Sequence, residues 1–396
     1  MRTRKDIEKL EDEVLAPYAM KSARSAGRKH DNSQHELRTC YQRDRDRIVH
    51  SEAFRKLEYK TQVFVILEGD YYRTRLTHTI EVAQIARTIG RALGLNEDLI
   101  EAIALAHDLG HPPFGHAGEK ALDELMKGHG GFDHNYRSYQ IVSEFERRYP
   151  GFPGLDLTLE VRVGILKHET IYDTRGEIAE YKEEGPTLEA KVVDIADALA
   201  YLSHDVDDGL TSGCITEDDL NGSALWFRSY GKVKSSLADA DKEMLKYQIV
   251  KFLIDQQTKD LLDYSQGRLE QLDFRSSDDV KRYHLDPSRE PVIGFSPRMK
   301  EERDVLQALL MENLYKHYRV IRMTEKARRV IREIFDVYNG NPNQLPYDIW
   351  PRENNLFDAG AREDAKYLAI CGYIAGMTDR FALNEHEKLF YPYKKV

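Results

Sequence analysis

Apolar residues along this chain recur with a helical period far more than with an alternating one. Residues 74–93, T-R-L-T-H-T-I-E-V-A-Q-I-A-R-T-I-G-R-A-L, set Leu76, Ile80, Ala83, Ile85, Ile89 and Leu93 on one stripe. His78 shares a face with Val82, Ile85 and Ile89, so the pattern turns an imidazole inward, with Arg75 one turn before it. Asn96 is a good N-cap for the next helix, with Glu97 and Asp98 in its first turn. That helix is filled by L-I-E-A-I-A-L-A and ends at His107 and Asp108. Gly110 is expected as the glycine that terminates it, and Pro112 and Pro113 prevent continuation. A new helix near Gly115 then places His116 and Glu119 three residues apart on one face.

A further helix is predicted from Thr187 to about Gly209. Leu188, Val192, Ile195, Leu199 and Leu202 carry its packing, and Asp194, Asp197, Tyr201, Asp205 and Asp208 repeat every three or four residues beside them. No Lys or Arg occurs from Val192 to Ile215, which an ordinary solvated face would mix in. Elsewhere the pattern gives a short charged helix over 5–15, a loop to about Leu37, and one basic helix from Tyr41. It also gives helical text over 138–170 broken by P-G-F-P-G, a basic helix over 313–332 and a final helix over 361–381. The expected fold class is all-α. The expected divisions are an arm over 1–40, a catalytic core over 41–220 and a helical C-terminal region over 221–396.

The 396 residues, 41% of them hydrophobic, are ample for a large core. A net charge of −10 disfavours bulk nucleic-acid binding, so an anionic ligand needs a local basic pocket. Charge is uneven: residues 1–60 hold 15 Lys/Arg against 11 Asp/Glu. Cys40, Cys214 and Cys371 are far apart and form no disulfide or zinc pattern. No apolar run is long enough to span a membrane and the first residues lack a signal peptide's apolar core, so the expected location is cytoplasmic.

The densest chemistry lies at 107–119, H-D-L-G-H-P-P-F-G-H-A-G-E. It packs His107, Asp108, His111, His116 and Glu119 into thirteen positions. An adjacent His-Asp pair on an apolar helix is costly to bury uncompensated, and a divalent cation compensates it economically. Other features have blander readings. A lone inward histidine such as His78 is more often a core residue than a ligand. The cations Arg43, Arg45, Arg47, Arg55, Lys56 and Lys60 read first as a solvated face partnered by Asp44, Asp46, Glu52 and Glu58, and only second as phosphate contacts.

Together these residues form an H…HD…D arrangement. That arrangement, with R-D-R-D-R-I-V-H-S-E-A-F-R-K-L-E-Y-K-T-Q-V-F, G-G-F-D-H-N, D-I-A-D-A-L-A-Y-L-S-H-D-V-D-D-G and Y-I-A-G-M-T-D-R, closely resembles the bacterial dGTPase-like dNTP triphosphohydrolases of the HD-domain superfamily. The resemblance implies an HD fold with a helical C-terminal extension and hydrolysis of dNTPs to deoxynucleoside and inorganic triphosphate. It implies His78, His107, Asp108 and Asp197 as ligands of one divalent ion per subunit, Mn2+ or Mg2+ before Fe2+, Co2+ or Ni2+. It implies His116 oriented by Glu119 as a catalytic pair, His134 on the same side of the phosphate, and His111 behind the ligands or on a phosphate. On the substrate side it implies Arg75 at the α-phosphate, Tyr201 under the deoxyribose, Asp205 and Gln62, with Val63 beside it, at the 3′-hydroxyl, and Lys167 and His168 near the phosphates. It further implies a homo-oligomer, a hexamer in this family, with a dNTP effector at a subunit interface, and weak single-stranded DNA binding. Three positions depart from the family text: Ala198, Arg137 and Gly372. The competing readings are an HD phosphohydrolase of another nucleotide and a non-catalytic dNTP or single-stranded DNA sensor.

Overall fold

The structure, a computed structural model, describes residues 1–62, 73–168, 181–237, 239–350 and 359–395, with the backbone alone for 359–362. Val63 lies outside the described residues. Among them the fold is helical throughout, with no strand.

The first helices are α1 (Arg4–Val14), α2 (Cys40–Val49), α3 (Glu52–Lys56), α4 (Arg75–Ala92), α5 (Glu97–Ala106), α6 (Gly115–Leu125), α7 (His134–Gln140) and α8 (Leu159–Leu166). The long α9 (Leu188–Ser212) follows, then α10 (Ala224–Ser236), α11 (Lys242–Leu272), α12 (Ser277–His284) and α13 (Pro297–Leu310). The chain closes with α14 (Tyr318–Gly340), α15 (Ala359–Ala375) and α16 (Asp379–Phe390).

Helices α4, α5 and α9 pack against one another around a core that includes Val82, Ile89, Leu99, Ile103, Val192 and Leu199. A second core joins Phe114 and Leu122 to Ile331 and Phe335 of α14 and Ile374 of α15. A third joins Leu202 and Val206 of α9 to Trp226, Leu253 and Leu306. One helix thus supplies both the first and the third core, so the C-terminal region is seated directly on the element carrying Asp197, Tyr201 and Asp205.

Local chemistry explains most boundaries. Asn96 caps α5 by accepting from the N–H groups of Asp98 and Leu99 at 3.1 and 3.3 Å. Thr187 caps α9, and Gly213, at φ +66°, ends it three residues beyond the expected stop. Four expectations are corrected. The basic helix from Tyr41 is two helices, because Ser51 caps α3 by accepting from the Phe54 N–H at 3.1 Å. The final helix is likewise two, broken before Thr378, which caps α16. Ile80 falls off the core stripe and is 51% exposed. Gly110 is not a left-handed cap; a Cβ there would meet the backbone of α7, 2.2 Å from the His134 carbonyl oxygen, so glycine serves close packing.

Candidate active site

The packing of α4, α5 and α9 brings four separated side chains to one point. His78 comes from α4, His107 and Asp108 from the end of α5, and Asp197 from the middle of α9. His78 Nε2 lies 2.8 Å from Asp197 Oδ1. His107 Nε2 lies 3.5 Å from Asp108 Oδ2 and 3.9 Å from Asp197 Oδ1. Ligand atoms of His78, His107 and Asp108 all fall within 4.8 Å of one another.

The donor set fits a divalent cation. His107 Nδ1 donates to the Ala104 carbonyl at 2.6 Å, which turns Nε2 into the cluster, where it is buried without a hydrogen-bond partner. Burial lowers the His107 pKa, keeping the imidazole in the neutral, ligating form. Burial opposes ionisation of Asp108, but Arg75, His107 and His111 outweigh it and hold the carboxyl well below its usual range. Burial likewise opposes ionisation of Asp197, and His168, His78 and His107 overcome it. Two ionised carboxylates and neutral imidazole nitrogen are the ligands such an ion takes at neutral pH.

His168 belongs to this cluster, although the sequence suggested only a phosphate contact for it. Its Nδ1 meets Asp194 Oδ1 at 2.7 Å, and its Nε2 lies 3.4 Å from Asp197 Oδ2. Burial would lower its pKa, but the two flanking carboxylates push it up to about 10. The signal lay in the acidic stripe: Asp194, one turn before Asp197, faces a histidine and not solvent.

Beside the cluster stands a group of histidines. Asp108 Oδ1 is 3.0 Å from His111 Nδ1, and the His111 and His134 rings have centroids 3.8 Å apart. Glu119 Oε1 accepts from the His134 backbone N–H at 3.0 Å and meets its Nδ1 at 2.7 Å. Glu119 therefore orients His134 as well as lying within reach of His116, the one partner expected for it. Burial pushes His116 down to about 4. Burial opposes ionisation of Glu119, but His134, His111 and His116 lower its pKa strongly.

The cluster opens on a cavity of about 590 Å³, within the range of small-molecule sites. Arg75, His78, Asp108, His116, Asp197 and Tyr201 line its near wall, with His111 and His134 beside them. Arg75 Nη1 is 3.0 Å from Asp108 Oδ2, while its Nη2 is buried without a hydrogen-bond partner. Gln62 Oε1 and Asp205 Oδ1 are also on the wall, both buried and unpartnered. Asp205 Oδ2 accepts from the Tyr315 hydroxyl, a partner the sequence did not disclose. Burial raises the Asp205 pKa well above the usual carboxylate range. Lys167 is not among the described residues of the wall.

The model of the HD domain matches residues 75–202, and that of the phosphohydrolase-associated domain matches 293–388. A Geobacter metallireducens protein, "Deoxyguanosinetriphosphate triphosphohydrolase-like protein", is 47% identical over 384 residues, 96% of each chain. The chain belongs to the deoxyguanosinetriphosphate triphosphohydrolase-like family of HD-domain proteins. Relatives of the same description from Geobacter sulfurreducens and Ralstonia nicotianae are each 46% identical, over 98% of both chains and over 95% and 94% of the two chains respectively.

In this HD-domain phosphohydrolase homologue the HD match opens at Arg75 and closes just past Tyr201. The associated domain and the segment before it supply further wall residues: Tyr264, Phe295, Lys300, Arg303, Gln307 and Tyr315. None of the six cations of 43–60 lines the cavity among its described residues. Arg43 and Arg47 pair with Asp31, Arg45 with Glu101, and Lys56 with Glu52, whereas Asp44 is buried against Arg28. The basic stretch of 313–332 is not one helix: residues 313–317 precede α14, whose N-cap is His317, and residues 318–332 lie in α14, where Arg328 and Arg332 pair with Glu124. Among the described residues no helix is long and apolar enough to cross a membrane.

Proposed function

We propose that this protein hydrolyses deoxynucleoside triphosphates to deoxynucleoside and inorganic triphosphate, by attack of water on the α-phosphorus. The observation that carries the reading is the set of groups that line one cavity: a cation-binding cluster, Arg75 with the His111–His116–His134 group, and the unpartnered Gln62 and Asp205 oxygens. Such a set has groups for a phosphate, a leaving oxygen and a sugar hydroxyl.

His78, His107, Asp108 and Asp197 would hold the divalent ion, Mn2+ or Mg2+ in this reading. When bound, it polarises the α-phosphate and makes a neighbouring water a stronger nucleophile. Arg75 offers its buried Nη2 to a phosphate oxygen, and its orientation is fixed by the Asp108 pair. The bond from water oxygen to Pα forms as the Pα–O5′ bond breaks, so O5′ must receive a proton. His134, held at Nδ1 by the ionised Glu119 carboxylate, is the donor this reading assigns. His116, neutral at pH 7 because of its burial, stands beside it as an acceptor. Asp205 and Gln62 bind the 3′-hydroxyl with the oxygens they now leave unpaired, and the Tyr201 ring excludes a 2′-hydroxyl.

The test is anion-exchange separation of products after incubation with each dNTP, alone and mixed, in Mn2+ or Mg2+. Deoxynucleoside plus triphosphate, lost in folded His107→Ala and Asp197→Ala proteins, supports the reading. Monophosphate or diphosphate products would replace it with another HD phosphohydrolase reaction. Binding without turnover would replace it with a sensor.

A further inference from the structure

The motif Y-I-A-G-M-T-D-R, residues 373–380, contributes to neither the metal cluster nor the described cavity wall. It forms the junction at which α15 ends and α16 begins. The carbonyls that close α15 carry the negative end of a helix dipole, and three cations reach them. Arg137 Nη2 donates to the Gly372 carbonyl at 3.1 Å, Lys60 Nζ to Ala375 at 3.3 Å and Lys56 Nζ to Gly376 at 3.1 Å. Lys60 also donates to the carbonyl of His111.

Across the junction stands Asp379, 1% exposed. Its Oδ2 accepts from the Thr61 backbone N–H at 3.0 Å and from the Thr61 hydroxyl. Its Oδ1 accepts from the Phe114 backbone N–H at 2.8 Å. Both partners adjoin the site. Thr61 precedes Gln62, and its carbonyl accepts from Arg75 Nε at 3.3 Å. Phe114, at φ +66°, makes the left-handed turn that starts the helix of His116 and Glu119. A non-glycine residue holds that conformation only where its surroundings enforce it.

We propose that Asp379 is a positioning residue for the hydrolysis proposed above, on which its kinetic role rests. One buried carboxylate registers Thr61, which adjoins Gln62 and bonds Arg75, against the turn bearing His111 and His116. The role needs two acceptors facing opposite ways. An amide of the same shape has one oxygen, so its NH2 must face either the Phe114 or the Thr61 N–H.

The experiment uses the full chain with Asp379→Asn, and Thr61→Val as a milder second variant. Hydrogen exchange, measured without nucleotide, is expected to quicken at least tenfold in segments 56–62 and 111–117 while α4, α5 and α9 stay protected. The kcat for triphosphate release is expected to fall at least tenfold, by more than KM changes. Thr61→Val is expected to quicken exchange in 56–62 alone, and the double variant to lose less kcat than the two single losses combined. Unchanged exchange in both segments with kcat within twofold would overturn the proposal. So would exchange that quickens uniformly through α4, α5 and α9, which is what a general stabiliser gives. If wild-type protein released no triphosphate from any dNTP, the reaction would fall, and the exchange measurement would still decide whether Asp379 registers the two segments.

Discussion

Replacing Gly110 with alanine adds one methyl group between the His-Asp motif and α7. Its Cβ would lie 2.2 Å from the His134 carbonyl oxygen, 2.3 Å from the Ser138 nitrogen and 2.8 Å from the Arg137 carbonyl carbon. Comfortable contacts begin near about 3.5 Å, so α7 must withdraw by roughly 1 Å. All three atoms are backbone, and no side chain can swing aside. The cost should reach the upper end of the overpacking range, about 3 kcal/mol. The functional loss should be larger than stability alone explains. α7 begins at His134, whose Nδ1 is 2.7 Å from Glu119 and whose ring lies against His111. A shift of about 1 Å in a catalytic group can cost about 100-fold in rate. The assay is kcat for triphosphate release, taken well below the variant's own melting temperature, together with a thermal melt. Gly231 in α10 is the control: nothing lies within 4 Å of its added Cβ, so alanine there should be neutral or stabilising by up to about 1 kcal/mol. A Gly110→Ala protein with wild-type melting and kcat within twofold would refute the argument that α7 is seated by backbone contact with the motif.

Three further outcomes follow from the same geometry. Mn2+ at 100 times its Kd should stabilise the protein by about 2.7 kcal/mol, seen as a raised melting temperature; His107→Ala should abolish the rise, and an equal rise would place the ion elsewhere. Burial raises Glu189 to about 7, against the hydrogen bonds it accepts from the Met20 and Asn96 N–H groups. Because the folded pKa exceeds the unfolded one, this stability is present below about 4.5 and lost as pH rises through about 7, a change of about 3 kcal/mol; the stability of Glu189→Gln relative to wild type should therefore grow by that amount from pH 4 to pH 8, and a flat difference would contradict it. Tyr201→Ala should raise kcat/KM for GTP relative to dGTP by at least about tenfold, and an unchanged ratio would show that the ring does not exclude the 2′-hydroxyl.

Much of the site was legible because periodicity and motif agreed. The stripe of α4 turned His78 inward, the Asn96 cap dated the start of α5, and the unrelieved acids of α9 marked a face with a purpose. What stayed hidden depends on partners distant in sequence. Nothing in the text around Tyr315 says that its hydroxyl meets Asp205, 110 residues earlier. Nothing around Asp194 names His168 as its partner. Ser51 read as one polar residue in a basic helix, yet as a cap it splits that helix. Gly110 sits where a helix-ending glycine belongs, and only the approach of α7 shows that it serves packing. The cations of 43–60 illustrate a different case: none lines the described cavity wall, yet Arg47 and Lys60 are buried and not solvated, and several carboxylate partners of the group come from other segments.

In the proposed hydrolysis water attacks the α-phosphorus and O5′ departs. Hydrolysis of dGTP in 18O-labelled water, with both products weighed by mass spectrometry, tests it most directly. Attack at phosphorus should leave one 18O atom in the inorganic triphosphate and none in the deoxyguanosine. Label in the deoxyguanosine would mean cleavage at carbon, and release of monophosphate or pyrophosphate would mean that another P–O bond breaks; either result would rule out departure of O5′ from the α-phosphorus.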